Sequence, residues 1–332
     1  PNTARQIAYR LRVPVEHPSF TVNQACGSGL QAVFCAARAI RLGEADIVLA
    51  GGTESMSNTP YMLPRARWGY RLGHDEVVDG MYRDGFNDPL SQLVMGETAE
   101  ELANVAGIDR QAADAYAARS QQRCERARQQ GRFQPEIAAV TIASRRGETL
   151  IERDEHPRDG VEAASLAKLP TVFREGGTVT PGNASGITDG AAALIVASAA
   201  AARQAGLTIM ARLVDWQVVG VEPRTMGIGP VPATRQLLER RGMAFDQIEL
   251  VELNEAFASQ VLACLAELPF DPEIVNADGG AIALGHPIGC TAARILVTLL
   301  HGLDQRGLTR GIATLCVSGG LGIAALVEME SA

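Results

Sequence analysis

A chain of 332 residues is long enough for about two or three domains around a large buried core. Its 46% hydrophobic content, 20% charged content and 34 glycines fit an α/β protein with many tight turns. The net charge of −8 argues against a general nucleic-acid binder, yet an anionic ligand still fits a local arginine pocket.

The six cysteines, Cys26, Cys35, Cys124, Cys264, Cys290 and Cys316, form no C-x-x-C pair and no zinc spacing, so no metal site is expected. A chain of this size does not need disulfides, which points to reduced thiols and a cytoplasmic compartment. The longest small-apolar run, Ala191 to Ala202, falls short of the ~20 residues of a membrane helix. The sequence opens on Pro1 without a methionine, which leaves a preceding targeting segment open.

In chain order, Glu16 to Val22 reads as a short strand running into the turn Ala25-Cys-Gly-Ser-Gly29. Leu30, Val33, Phe34, Ala37 and Ile40 then recur at helical spacing, with Gly43 as a C-terminal cap. Asp46 to Ala50 reads as a buried strand of a βαβ unit, closed by Gly51-Gly52. From about residue 58 to 187 the composition changes to scattered charges, aromatics and prolines, with helices at Glu97–Val105 and Arg110–Gln130. Connections this long are usually functional, and the region is expected to sit over the sheets as an insertion. Cys124 shares a helical face with Ala113, Tyr116, Ala117 and Ala127, and Cys35 lies inside another helix, so both read as core.

The last third returns to α/β grammar. A strand is expected at Ile248–Leu253, a helix at Asn254–Glu267 and a strand entry at Ile274-Val275. A glycine-rich turn, a helix at Thr291–His301, a strand at Ile312–Val317, the turn Ser318-Gly-Gly320 and a closing strand at Leu321–Val327 follow. Val22-Asn23, turn, helix, strand and Gly51-Gly52 recur as Val275-Asn276, turn, helix, strand and Gly319-Gly320. Such an internal duplication would bring equivalent turns together at one site.

Several residues on these turns can carry chemistry. Cys26 sits at a helix N-terminus, where a thiolate would be stabilised, among residues small enough to admit a substrate. The same stretch satisfies G-x-G-x-x-A, with Glu54 placed as a ribose-binding acid, so a dinucleotide turn competes with a nucleophile. His286, between Gly285 and Pro287 in the counterpart turn, has the makings of a Cys–His pair. Cys316 ends an apolar strand before a glycine turn. Asn254 opens a helix, as its cap or as a group that orients a water or an oxyanion.

Taken together, VNQACGSG, GNASGITDGAAA, NEAFA, NADGGAIALGHPIG and CVSGGLGIA resemble the thiolase family in order and spacing, over essentially the whole chain. The resemblance implies a thiolase fold: two duplicated βαβαβαββ halves forming a layered α-β-α-β-α sandwich, with an inserted loop domain. The halves would be 1–57 plus 188–208 and 209–332, with 58–187 as the loop domain. It implies coenzyme A and acyl-CoA as substrates, no permanently bound cofactor, and a homodimer or homotetramer.

Residue by residue, the resemblance makes Cys26 the acylated nucleophile, His286 its activator and Cys316 the acid/base at the α-carbon. Asn254, through a water, and His286 would form one oxyanion hole; the N–H groups of Cys26 and Ser318 would form the other. Arg158 would meet the nucleotide end of coenzyme A, Ser165, Ser185 and Met95 its pantetheine arm, and Leu169 and Phe173 the same groove.

The sequence departs from the family pattern in four ways. About 60 residues that the family carries ahead of Pro1 are outside the sequence, which would leave a sheet edge and one core face exposed. Val94 stands where acetoacetyl-CoA thiolases often have histidine, which leans toward a degradative 3-ketoacyl-CoA thiolase. Ser318 replaces a glycine, at a cost if its φ is positive. Asp278 replaces an asparagine, and the sequence alone gives this no consequence. A decarboxylating ketoacyl synthase fits less well, since it would carry histidine at Asn254 and lack Cys316; a silent acyl-CoA-binding homologue is the other alternative.

Overall fold

The computed structural model describes residues 2–145 and 147–330. The N-terminal region opens with α1 (Thr3–Arg10), which Asn2 caps by accepting the Arg5 N–H. The expected strand at Glu16–Val22 is absent: the segment is irregular. Arg5 donates to the carbonyls of Val15 and His17, and Asn2 to that of Ser19, so side chains of α1 take backbone groups that a ladder would use.

After the cysteine turn comes α2 (Ser28–Arg41), ended at Gly43 in the left-handed region. It is followed by β1 (Ile47–Glu54). The expectation of a buried parallel strand there is corrected. β1 pairs antiparallel, from Ile47↔Ala197 to Glu54↔Gly190, with β4 (Gly190–Ala197), which comes after α3 (Met95–Ala106), α4 (Arg110–Gln129) and the hairpin β2 (Val140–Ser144) and β3 (Gly147–Ile151). Alternate residues of this two-stranded sheet face outward, and Ile47, Leu49 and Ile195 are exposed.

The C-terminal half comprises β5 (Ala211–Gly220), α5 (Pro230–Arg241), β6 (Leu250–Leu253), α6 (Ala258–Glu267), α7 (Ile288–Arg306), β7 (Arg310–Val317) and β8 (Leu321–Met329). Its sheet runs β6-β7-β8-β5, with β6 parallel to β7 and the other pairs antiparallel. Val275 bridges to Val251 and extends the parallel side. The sheet is buried on both faces, and its side chains alternate between two cores. Ile312, Ala324 and Leu326 pack toward α4, α5 and α6, with Ala117, Leu237 and Val261. Ala313, Leu315, Val317, Ile323 and Ala325 pack toward α2 and α7, with Phe34, Ile295 and Leu299.

Helices α2 and α7 therefore lie between the two sheets in a layered α/β arrangement. They cross at Gly29, where an added Cβ would lie 2.4 Å from the Ala293 backbone nitrogen. That close approach brings the turn carrying Cys26 against the start of α7, the helix that follows the His286 turn. Among the described residues, no helix is long and apolar enough to cross a membrane.

Candidate active site

The cysteine turn is a tight one. Ala25 has φ +43°, a conformation that costs a non-glycine residue about 1–3 kcal/mol. Asn23 accepts the Ala25 N–H at 2.9 Å, and the Ser28 hydroxyl donates to the Ala25 carbonyl at 2.7 Å while accepting the Gln24 N–H. These bonds hold the strained residue and push Cys26 out at the start of α2. The N–H groups of Cys26 and Ser318 both point at the Cys26 sulfur.

The expected stabilised thiolate is corrected. Burial pushes the Cys26 thiol up to about 11; the two N–H groups oppose this and lose, and the Glu54 carboxylate adds to the rise. A short helix-end field does not repay the desolvation of a sulfur anion in the apolar layer between the sheets.

The β7–β8 turn supplies the next groups. Cys316, at the end of β7, packs with Met226 and Ala256 and against Met95 and Phe257. Burial raises its thiol well above the ordinary value, and the neighbouring Cys26 adds to this. Ser318 does not have a positive φ; Gly319 and Gly320 carry that conformation instead, so the serine brings no backbone cost. Cys26, Cys316 and the Ser318 N–H are thus brought together.

Asn254 does not cap a helix. Residues 254–257 stay outside the helix because their backbone is used elsewhere: Asn254 N–H donates to Thr314, and the Ala256 carbonyl accepts from Ser185 at 3.0 Å. Helix α6 begins only at Ala258. The Asn254 carboxamide is 1% exposed, and neither its oxygen nor its nitrogen bonds to any described residue. A buried amide without protein partners is suited to a water or a carbonyl oxygen.

The loop 183–186 joins these pieces. Ser185 binds Ala256, the Asn183 carbonyl accepts the Ala258 N–H, and the Gly186 carbonyl accepts the His286 N–H at 3.0 Å. His286 follows Gly285 (φ +92°), and its Nδ1 lies 2.6 Å from the Thr291 hydroxyl. Burial, with the Arg294 charge, pushes the imidazole down to about 4, so it is neutral at ordinary pH.

The proposed groove residues divide into two groups. Met95-Gly96 packs on Phe173, whose ring a Cβ at Gly96 would meet at 2.1 Å, and Leu169 packs on Gly182. Met95 packs against Cys316, and Ser185 bonds to Ala256, which packs with Cys316. Arg158 and Ser165 lie on the exposed rim: the Ser165 hydroxyl donates to Glu162, and the Arg158 N–H donates to Gln121. Among the described residues, no hydrogen bond or packing cluster joins either residue to Cys26 or Cys316.

Sequence reasoning missed the group that holds this scaffold. The fully buried Glu255 carboxylate accepts from the Tyr116 and Ser120 hydroxyls (2.8 and 2.6 Å), the Asn276 amide and the Ile282 N–H. It ties α4 to the glycine-rich turn before His286, next in sequence to Asn254. A charged residue inside an apolar stretch was the available signal. Asp278 ion-pairs with Arg306 at 2.7 Å, which accounts for an acid at that position. Glu54 accepts the Gly289 N–H at 3.0 Å and fastens the start of α7, so it does not serve as a ribose ligand.

Residues 1–200 match the thiolase N-terminal domain and residues 207–329 the thiolase C-terminal domain. The chain is 49% identical over 324 residues to the acetyl-CoA acetyltransferase of Pseudomonas aeruginosa, covering 97% of this chain and 82% of that protein. It is 46% identical over 331 residues to that of Syntrophomonas wolfei, covering 98% and 83%. Among solved structures, Bacillus anthracis acetyl-CoA acetyltransferase superposes with a TM-score of 0.96 at 45% identity, covering 99% of this chain and 83% of that one. Human mitochondrial 3-ketoacyl-CoA thiolase in complex with CoA superposes with a TM-score of 0.95 at 42% identity, covering 99% and 82%. With both domains matched and a shared two-sheet architecture around the paired turns, this chain belongs to the thiolase family of acyltransferases.

Proposed function

We propose that this protein cleaves 3-ketoacyl-CoA with coenzyme A, reversibly, through an acyl-Cys26 intermediate. The observation that carries the reading is the paired thiols: Cys316 lies beside Cys26, whose sulfur faces two backbone N–H groups. In cleavage, the Cys26 proton passes to His286 and the sulfur adds to the 3-keto carbon. The C2–C3 bond breaks, its electron pair goes to the enolate of acetyl-CoA, and the Cys316 thiol protonates C2. Coenzyme A then gives its proton to Cys316 and attacks the acyl-Cys26 thioester; the released Cys26 sulfur recovers its proton from His286.

Neutral forms suit this cycle, because the charges arise only as the reaction proceeds. The N–H groups of Cys26 and Ser318 would receive the acyl oxyanion, and Asn254, through a water, with His286 would receive the enolate oxygen. Coenzyme A would run along Met95, Leu169, Phe173, Ser165 and Ser185 to Arg158 at the rim, where a guanidinium in an acidic protein suits a phosphate. A homodimer or homotetramer belongs to the same reading.

Val94 favours a degradative enzyme acting on longer chains. The relatives named acetyl-CoA acetyltransferase support a second reading, an acetoacetyl-CoA-specific biosynthetic thiolase, while the likeness to human mitochondrial 3-ketoacyl-CoA thiolase supports the first. Thiolysis of 3-ketoacyl-CoAs of increasing chain length, followed by loss of enolate absorbance, separates the two. Cys26→Ala is expected to lower kcat by about 1,000-fold or more on every active substrate. Full activity in Cys26→Ala, or an inactive wild type on all lengths, sinks the proposal; inactivity with retained acyl-CoA binding would instead mark a silent homologue.

A further inference from the structure

Thr291 stands in the first turn of α7 and is fully buried. Its hydroxyl oxygen lies 2.6 Å from His286 Nδ1, and the hydroxyl donates to the Pro287 carbonyl at 2.9 Å. This bond back to the preceding turn fixes the side-chain rotamer. A hydroxyl has one proton, and the Pro287 carbonyl can only accept. When the hydroxyl donates there, its oxygen faces the imidazole as an acceptor, and Nδ1 brings the hydrogen of the 2.6 Å contact. In a neutral ring that leaves the lone pair on Nε2.

We propose that Thr291 is a positioning residue that holds His286 as the Nδ1–H tautomer and so keeps Nε2 as the nitrogen able to take the Cys26 proton. The proposal rests on the reading of His286 as the base. It explains why a hydroxyl occupies a fully buried helical position flanked by the apolar Ala292, Ala293 and Ile295. Among the described residues the ring has no carboxylate hydrogen-bond partner; the hydroxyl, fixed by a main-chain carbonyl, orients it instead. The His286 backbone is fixed independently by its bond to Gly186, which leaves tautomer and ring rotation as the properties that Thr291 controls.

The test compares wild type, Thr291→Ser and Thr291→Val, with histidines labelled with nitrogen-15 and the His286 signals assigned from His286→Asn. Wild type and Thr291→Ser should show a protonated Nδ1 and an unprotonated Nε2. Thr291→Val, which keeps the shape and removes the hydroxyl, should show a mixture of tautomers. Its kcat for thiolysis should fall about 100-fold, the range of general-base assistance, while Thr291→Ser recovers most of the activity. A protonated Nε2 in wild type overturns the proposal, as does wild-type tautomer and kcat in Thr291→Val. Should Thr291→Val fail to fold, the wild-type and Thr291→Ser spectra still decide. The tautomer pattern in a protein that performs no thiolysis would support the positioning role and refute the catalytic reading.

Discussion

Cys26 shows how burial reverses an inference drawn from position. Its place at the start of α2, among glycines, is legible in the sequence, and so is the helix-end field that would favour a thiolate. The cost of desolvation is not legible, because it comes from Val317, Ile323 and the apolar layer contributed by a strand nearly 300 positions away. With the thiol raised to about 11 and His286 lowered to about 4, the resting forms are thiol and neutral imidazole at every pH between. Raising pH therefore increases the thiolate fraction until about 11. Iodoacetamide labelling of Cys26 should keep climbing beyond pH 9, by about tenfold per unit, and acyl-CoA should slow it. A plateau reached below pH 8, read by peptide mapping, would mean a preformed thiolate–imidazolium pair.

At the scale of elements, the contact between the two turns depends on glycine. Gly29 lets α2 lie directly on the backbone of α7 at Ala293, and Gly52 does the same for β1 against Gly289. A methyl at either place has no flexible side chain to displace, only main chain. Gly29→Ala is expected to cost about 1–3 kcal/mol, the range for overpacking, measured as a lowered urea midpoint at unchanged m-value. It should also lower kcat more than it raises KM, since it separates the turns of Cys26 and His286. An unchanged midpoint would show that the helices do not meet there. The helices α2, α4 and α7 were readable from apolar spacing. The start of α6 was not, because the pull on residues 254–257 comes from Thr314 and Ser185, distant in sequence.

At the scale of the molecule, the two sheets differ in their surroundings. The C-terminal sheet has a core on each face, whereas the outer face of β1 and β4 presents Ile47, Leu49 and Ile195. Apolar side chains in a row on an open sheet face favour association. In the dimer or tetramer proposed above, this face is expected to contribute, so Leu49→Glu should lower the mass found by light scattering. A wild-type mass equal to the 35.1 kDa chain would contradict the assembly, and an unchanged mass in Leu49→Glu would place the contact elsewhere.

The sequence by itself determined the chemical types: a cysteine, a histidine and a second cysteine on glycine-flanked turns, and an asparagine at a strand end, in a pattern that marks the thiolase family. Those features are local, since turn geometry and helical spacing depend on neighbours a few positions apart. Tertiary structure alone decided how those groups are charged and held. The neutral Cys26 thiol and His286 imidazole, the Asn254 amide without a partner among the described residues, the Glu255 clamp and the Thr291 contact all depend on segments remote in the chain or on the burial they create. Desolvation and hydrogen-bond partnership are properties of the packed interior, and no spacing rule carries them.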